Sequence, residues 1–176
     1  MLGHGAGGGV EAPDLVATTN AARSAQLSVA LVEQPYRVAG RRSPAPVRQL
    51  DAAWKAVVSQ LKDDALRGLP IVAGGRSAGA RVACRTAADV GAVAVLCLAF
   101  PVHAPGRGDD PTKSRLPELD AVTVPTLVVQ GESDPFGMPP DGPNRTVARV
   151  PGNHSLRNKA AVAAAVSGWL EQLEVV

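Results

Sequence analysis

The residues best placed to do chemistry begin with Ser77, which lies in Gly75–Arg76–Ser77–Ala78–Gly79. An apolar run, Leu69–Ala73, leads into this segment, and an alanine-rich stretch with helical spacing follows it. A serine hydroxyl is a weak nucleophile until a base takes its proton and the oxygen is presented clear of the chain. The pattern G-x-S-x-G between strand and helix does this by a tight, strained turn. The chain passes so close to itself there that side chains at 75 and 79 would collide. The Ala78 N–H, opening the helix, faces the place where an oxyanion would form.

Such a serine needs a base and an acid, and both occur later in the chain. Asp134 follows the apolar run Pro125–Gln130, and His154 follows Thr146–Val150. In a parallel sheet, active sites gather at the carboxyl ends of strands, where both residues fall. His154 is the candidate base, and Asp134 the candidate acid that orients it. Asp134 before a proline is also a common turn starter, and Glu132 is a rival acid. His4 and His103 are rival bases, but neither follows the last strand, so His4 reads better as shaping its loop and His103 as lining the pocket.

The first nine residues, Met-Leu-Gly-His-Gly-Ala-Gly-Gly-Gly, form a loop in which backbone N–H groups can approach a ligand closely. Alone, a glycine-rich start reads as a tail. Beside the Ser77 turn it reads as a second source of oxyanion donors, with Ala6 the best candidate and Gly5 and Gly7 next to it. His4, Gly5, Arg76 and His103 are the candidate substrate contacts.

These residues need a scaffold, and the pattern supplies one. A helix is expected over Glu11–Ala25, with Asp14 as its cap, and a strand over Leu27–Val32. Arg37–Arg48 is a basic, Pro-containing loop. An amphipathic helix with Trp54 in the core runs from Gln49 to about Leu66. The Ser77 helix spans Ala78–Ala88, and buried strands Val93–Phe100 and Pro125–Gln130 follow. A helical turn at Leu116–Leu119, a last strand at Thr146–Val150 and a closing helix over Asn158–Leu173 complete the chain. Alternating strands and helices predict an α/β class, a mainly parallel sheet with helices on both faces, in one domain over residues 1–176.

The chain has 176 residues, of which 45% are hydrophobic and only 3% aromatic, so Ala, Val and Leu must fill the core. The net charge of +2 gives no argument for nucleic acid. No apolar run reaches membrane-spanning length and no signal peptide is visible, so the expectation is a cytoplasmic protein. Cys84 and Cys97 lack metal-type spacing and read as buried, reduced thiols. Richness in Ala, Gly, Val, Pro and Arg suggests a GC-rich bacterial genome.

Taken together, His4-Gly5-Ala6-Gly7-Gly8, Gly74–Gly79, Phe100–His103, Val129-Gln130-Gly131 leading to Asp134, and Asn153-His154-Ser155 resemble the α/β-hydrolases. The resemblance is closest to the dienelactone-hydrolase-like branch and to a small hydrolase-like family that includes a testis-expressed protein and a non-specific lethal complex subunit. It implies an α/β-hydrolase fold and a Ser-Asp-His site, with Ser77 where the dienelactone branch proper has cysteine. It also implies strands upstream of residue 1. The chain is therefore expected to be N-terminally shortened, with an incompletely paired edge near residues 1–3 and 27–32 and a tendency to homo-oligomerise.

Two functions follow as expectations. One is a serine hydrolase acting on a small-molecule ester or similar acyl substrate, with no cofactor and no metal. The other is a hydrolase-shaped binding or scaffold protein without turnover. Labelling by a fluorophosphonate separates them.

Overall fold

The computed structural model describes residues 1–104, 106–108 and 110–173. Its elements in chain order are β1 (Leu2–Gly3), α1 (Pro13–Ser24), β2 (Leu31–Val32), α2 (Pro35–Val38), α3 (Val47–Asp63), β3 (Val72–Arg76), α4 (Ala78–Thr86), β4 (Ala94–Leu98), α5 (Leu116–Asp120), β5 (Thr126–Gly131), β6 (Arg145–Val150) and α6 (Lys159–Leu170). The strands form one six-stranded sheet in the order β2-β1-β3-β4-β5-β6, and the neighbouring strands pair in parallel. The sheet and the helices flanking it make the α/β-hydrolase fold.

The apolar runs at 94–98 and 126–131 are continuous because both faces of the sheet are covered. Along β4, Ala94, Leu96 and Leu98 pack with Leu15 of α1 and with Val162 and Val166 of α6. Val95 and Cys97 point the other way, into a core with Trp54 and Val58 of α3, Val82 of α4 and Leu119 of α5. This period-two alternation assigns each helix to a face.

The amino end differs from expectation. The Leu27–Val32 strand shrinks to Leu31–Val32. No gap opens beside residues 1–3, because β1 pairs on both sides, Leu2 with Leu31 and with Gly74. Leu2 N–H donates to the Ala30 carbonyl at 2.8 Å, and Gly74 N–H donates to the Met1 carbonyl at 2.9 Å. Two residues suffice to bridge the neighbours because the loop at His4 begins at once. What stays open is the outer edge of β2, where Leu31 is 41% exposed. Asp14 does not cap α1. The cap position is Ala12, and Asp14 lies inside the helix with its side chain buried. Among the described residues, no helix is long and apolar enough to cross a membrane.

Candidate active site

The site is built at the carboxyl ends of β1, β3, β5 and β6. Ser77 sits between β3 and α4 with φ +52° and ψ −107°. Such a conformation costs a non-glycine residue ~1–3 kcal/mol and persists only where its surroundings impose it. Here the Ser77 N–H donates to the Leu98 carbonyl at 2.8 Å, which ties the turn to β4. A Cβ on Gly75 would meet the Gly3 carbonyl oxygen at 2.6 Å and the Gly79 backbone at 2.7 Å. One on Gly79 would meet the Gly3 backbone at 2.6 Å and the His4 carbonyl oxygen at 2.9 Å. Both glycines are thus required by β1 as much as by each other.

Three of the sequence candidates come together. Ser77 Oγ lies 3.0 Å from His154 Nε2, and His154 Nδ1 lies 2.9 Å from Asp134 Oδ2. An Nδ1–H donor to Asp134 leaves Nε2 as the acceptor facing the Ser77 hydroxyl, which fixes one neutral tautomer. The Asp134 side chain is 1% exposed and that of His154 16%, so the acid is sealed while the base remains reachable. Asp134 Oδ1 accepts from the Phe136 N–H at 2.8 Å. The Phe136 ring then packs on the imidazole, with centroids 4.0 Å apart at 30°. Glu132 is exposed, and its N–H bonds the Val150 carbonyl; it takes no part in this relay. The acid turn and the His154 loop are joined directly, since both the Ser133 N–H and its hydroxyl donate to the Gly152 carbonyl.

The glycine-rich loop is aimed by two aromatic side chains. His4 Nδ1–H donates to the Gly5 carbonyl at 2.8 Å, and His4 Nε2 accepts the Gln34 N–H at 3.0 Å. In a trans peptide the carbonyl and the next N–H point oppositely, so holding the Gly5 carbonyl turns the Ala6 N–H the other way. The Tyr36 hydroxyl fixes the Ala6 carbonyl in the same manner at 3.2 Å. Ala78 begins α4, where first-turn N–H groups have no partner within the helix.

Two expected substrate contacts are corrected. His4 is 1% exposed and both its ring nitrogens are engaged, so it shapes the loop from behind. Arg76 is turned into the fold. Its Nε lies 2.9 Å from Asp14 Oδ2, an ion pair rather than a well-aligned hydrogen bond, and its Nη2 donates to the His154 carbonyl at 2.9 Å. Gly5 lies on the same guanidinium, where a Cβ would meet Nη1 at 2.8 Å. Burial pushes the Asp14 carboxyl above the usual range, partly offset by the Arg76 charge and by the Leu15 N–H. His103 is half-buried, bonds the Ala104 carbonyl through Nδ1 and packs against Gly108 and Gly137, which supports the acid turn.

Sequence reasoning missed Gln130, Phe136 and the buried partner Asp14. A glutamine ending an otherwise apolar strand was the one visible signal. Cys84 and Cys97 are buried free thiols with sulfurs 3.5 Å apart. The Cys84 contact and burial hold Cys97 well above the usual thiol range, so it is an inert core residue.

No curated protein matches the sequence. Solved structures do. A protein of the alpha/beta hydrolase superfamily from Xanthomonas campestris pv. campestris aligns with a TM-score of 0.67 at 18% identity, over 98% of this chain and 97% of its own. An alpha/beta serine hydrolase without a lid, also from Xanthomonas campestris, gives 0.66 at 20% identity over 96% and 81%. Est1E from Butyrivibrio proteoclasticus, solved with ferulic acid bound, gives 0.70 at 19% identity over 97% and 87%. At these identities the likeness is one of fold. The profile of the alpha/beta hydrolase domain matches residues 1–160, and the chain belongs to that family.

Proposed function

We propose that this hydrolase is a serine hydrolase that cleaves an ester or similarly activated acyl bond of a small molecule through an acyl-enzyme on Ser77. The observation that carries the reading is the continuous relay of 3.0 and 2.9 Å from Ser77 Oγ through His154 to Asp134. His154 Nε2 takes the Ser77 proton as Oγ bonds to the substrate carbonyl carbon. The carbonyl oxygen becomes an oxyanion, and the N–H groups of Ala78 and Ala6 face it. Asp134 stabilises the imidazolium. The imidazolium then gives its proton to the leaving alkoxide and the acyl–oxygen bond breaks. His154 next deprotonates a water, which attacks the acyl carbon, and Ser77 Oγ leaves with the proton returned. Gly5 and His103 line the approach. Short esters are the substrate class we assign, because the sequence carries no separate lid domain and the basic Arg37–Arg48 segment is the candidate cover. The lidless hydrolase among the structural neighbours is in keeping with this. In its motifs the protein resembles the dienelactone-hydrolase-like branch, with serine in place of cysteine.

The test is turnover of a short-chain 4-nitrophenyl ester by wild type and by Ser77→Ala. A fall of about 10³-fold or more in kcat is expected, to the residue left by binding and oxyanion donors. Equal rates would refute the assignment.

A further inference from the structure

Gln130 closes β5 as a polar residue buried at 0% exposure, in a strand otherwise made of Thr126, Leu127, Val128 and Val129 ahead of Gly131. Its side-chain nitrogen faces three acceptors: Asp134 Oδ2 at 2.9 Å, the Gly137 carbonyl at 2.8 Å and the Phe100 carbonyl at 3.1 Å. The orientation is forced, because turning the amide over would set its oxygen against the same three oxygens. In the observed orientation Oε1 has no hydrogen-bond partner among the described residues. A buried polar atom without a partner costs stability, so packing alone does not account for a glutamine here. The acceptor Asp134 Oδ2 is the same atom that accepts from His154 Nδ1.

We propose that Gln130 is a positioning residue of the Ser77–His154–Asp134 relay: its amide holds Asp134 Oδ2 in place and sets how strongly that oxygen holds the His154 Nδ1 proton. A donor on a carboxylate oxygen draws charge from it and weakens its grip on a second donor. With the Gln130 amide in place, the imidazolium is held less tightly and His154 gives up its proton more readily. The amide also fastens the acid turn at both ends, through Gly137 on one side and Phe100 of the β4 exit on the other. The charged or titratable groups facing this cluster are Arg76, on the His154 carbonyl and paired with Asp14, His103 beneath Gly137, and the exposed Glu132. None of these contacts Asp134 Oδ2 in place of Gln130.

The catalytic meaning of this assignment rests on the serine-hydrolase reading, but the contact is measurable without turnover. In wild type, nuclear magnetic resonance should find the two Gln130 side-chain N–H protons slow to exchange and shifting in step with His154 as the imidazole titrates. In Gln130→Met, which keeps the size and removes the donor, the His154 Nδ1–H resonance should move downfield. The midpoint of the imidazole titration should rise by about one pH unit, a tenfold change in proton affinity. The acid limb of kcat/KM should move by the same amount, with KM unchanged. Gln130 protons that exchange freely, or that ignore the His154 titration, would overturn the proposal. So would a folded Met variant with unmoved His154 signals, the result expected of a merely structural glutamine. Should the Met variant not fold, the wild-type titration decides alone. If His154 couples to Gln130 while Ser77→Ala leaves turnover intact, the hydrolase reading fails and the Gln130 assignment stands.

Discussion

Asp134 and Glu132 are two residues apart, yet only one reaches the imidazole. The turn after β5 brings the Asp134 carboxylate inward against His154, the Gln130 amide and the Phe136 N–H, and leaves Glu132 in solvent. Asp134→Asn keeps the shape but presents an amide where His154 Nδ1–H needs an acceptor. Ester turnover should then fall by ~10³- to 10⁴-fold, through loss of the productive tautomer. Glu132→Gln removes an exposed charge and should leave kcat/KM essentially unchanged. A large loss from Glu132→Gln with a small one from Asp134→Asn would reverse the two roles.

Elements position these residues through contacts that cross the fold, and the Arg76–Asp14 pair is the clearest case. It joins α1 to the end of β3 and, through the His154 carbonyl, to the loop after β6. Removing the cation leaves Asp14 buried beside no compensating charge, which costs ~3 kcal/mol when it is ionised. The folded-state affinity of Asp14 for its proton is already raised by burial above the ordinary carboxyl value of 3.8. The native chain therefore keeps a proton that the unfolded chain has released. The contribution of this group to stability is full below 3.8 and is lost as pH rises through the folded value. In Arg76→Met the loss should be larger and extend further toward neutrality. Thermal unfolding from pH 4 to 7 should show the variant's midpoint dropping with pH more steeply than that of wild type; parallel curves would contradict the pairing. The sequence placed Ser77, Asp134 and His154 because glycines and strand ends mark them locally. It misassigned Arg76 as a substrate contact, and of its two readings of His4 only the loop-shaping one holds, because their partners, Asp14 and Gln34, lie far off in the chain and only the assembled sheet brings each pair together. In the sequence Gln130 reads only as the end of a strand, because its role shows only where the turn after β5 folds Asp134 and Gly137 back onto its amide.

Across the whole molecule, the amino end departs most from sequence expectation. The expectation was an incompletely paired edge near residues 1–3, whereas β1 is held from both sides by β2 and β3 and from below by α3. Trp54 supplies that support. It is 1% exposed, and its ring lies 3.3 Å from where a Cβ on Gly3 would stand. Trp54→Ala should cost ~3–5 kcal/mol in denaturant unfolding. Trp54→Phe should cost less than about 1.5 kcal/mol, since it keeps most of the volume and removes an indole N–H that has no partner among the described residues. Equal losses from the two variants would mean that the indole nitrogen, and not the ring's bulk, secures β1. The remaining expected weakness is the outer edge of the two-residue β2.

The central claim is that the fold activates one serine out of the nine in the chain. Fluorophosphonate treatment of the folded protein, read by intact mass and peptide mapping, tests it most directly. One adduct per chain is predicted, on the peptide carrying Ser77, absent from Ser77→Ala and abolished by prior unfolding. Labelling that persists in Ser77→Ala, or a wild type that takes up no label, would contradict the account.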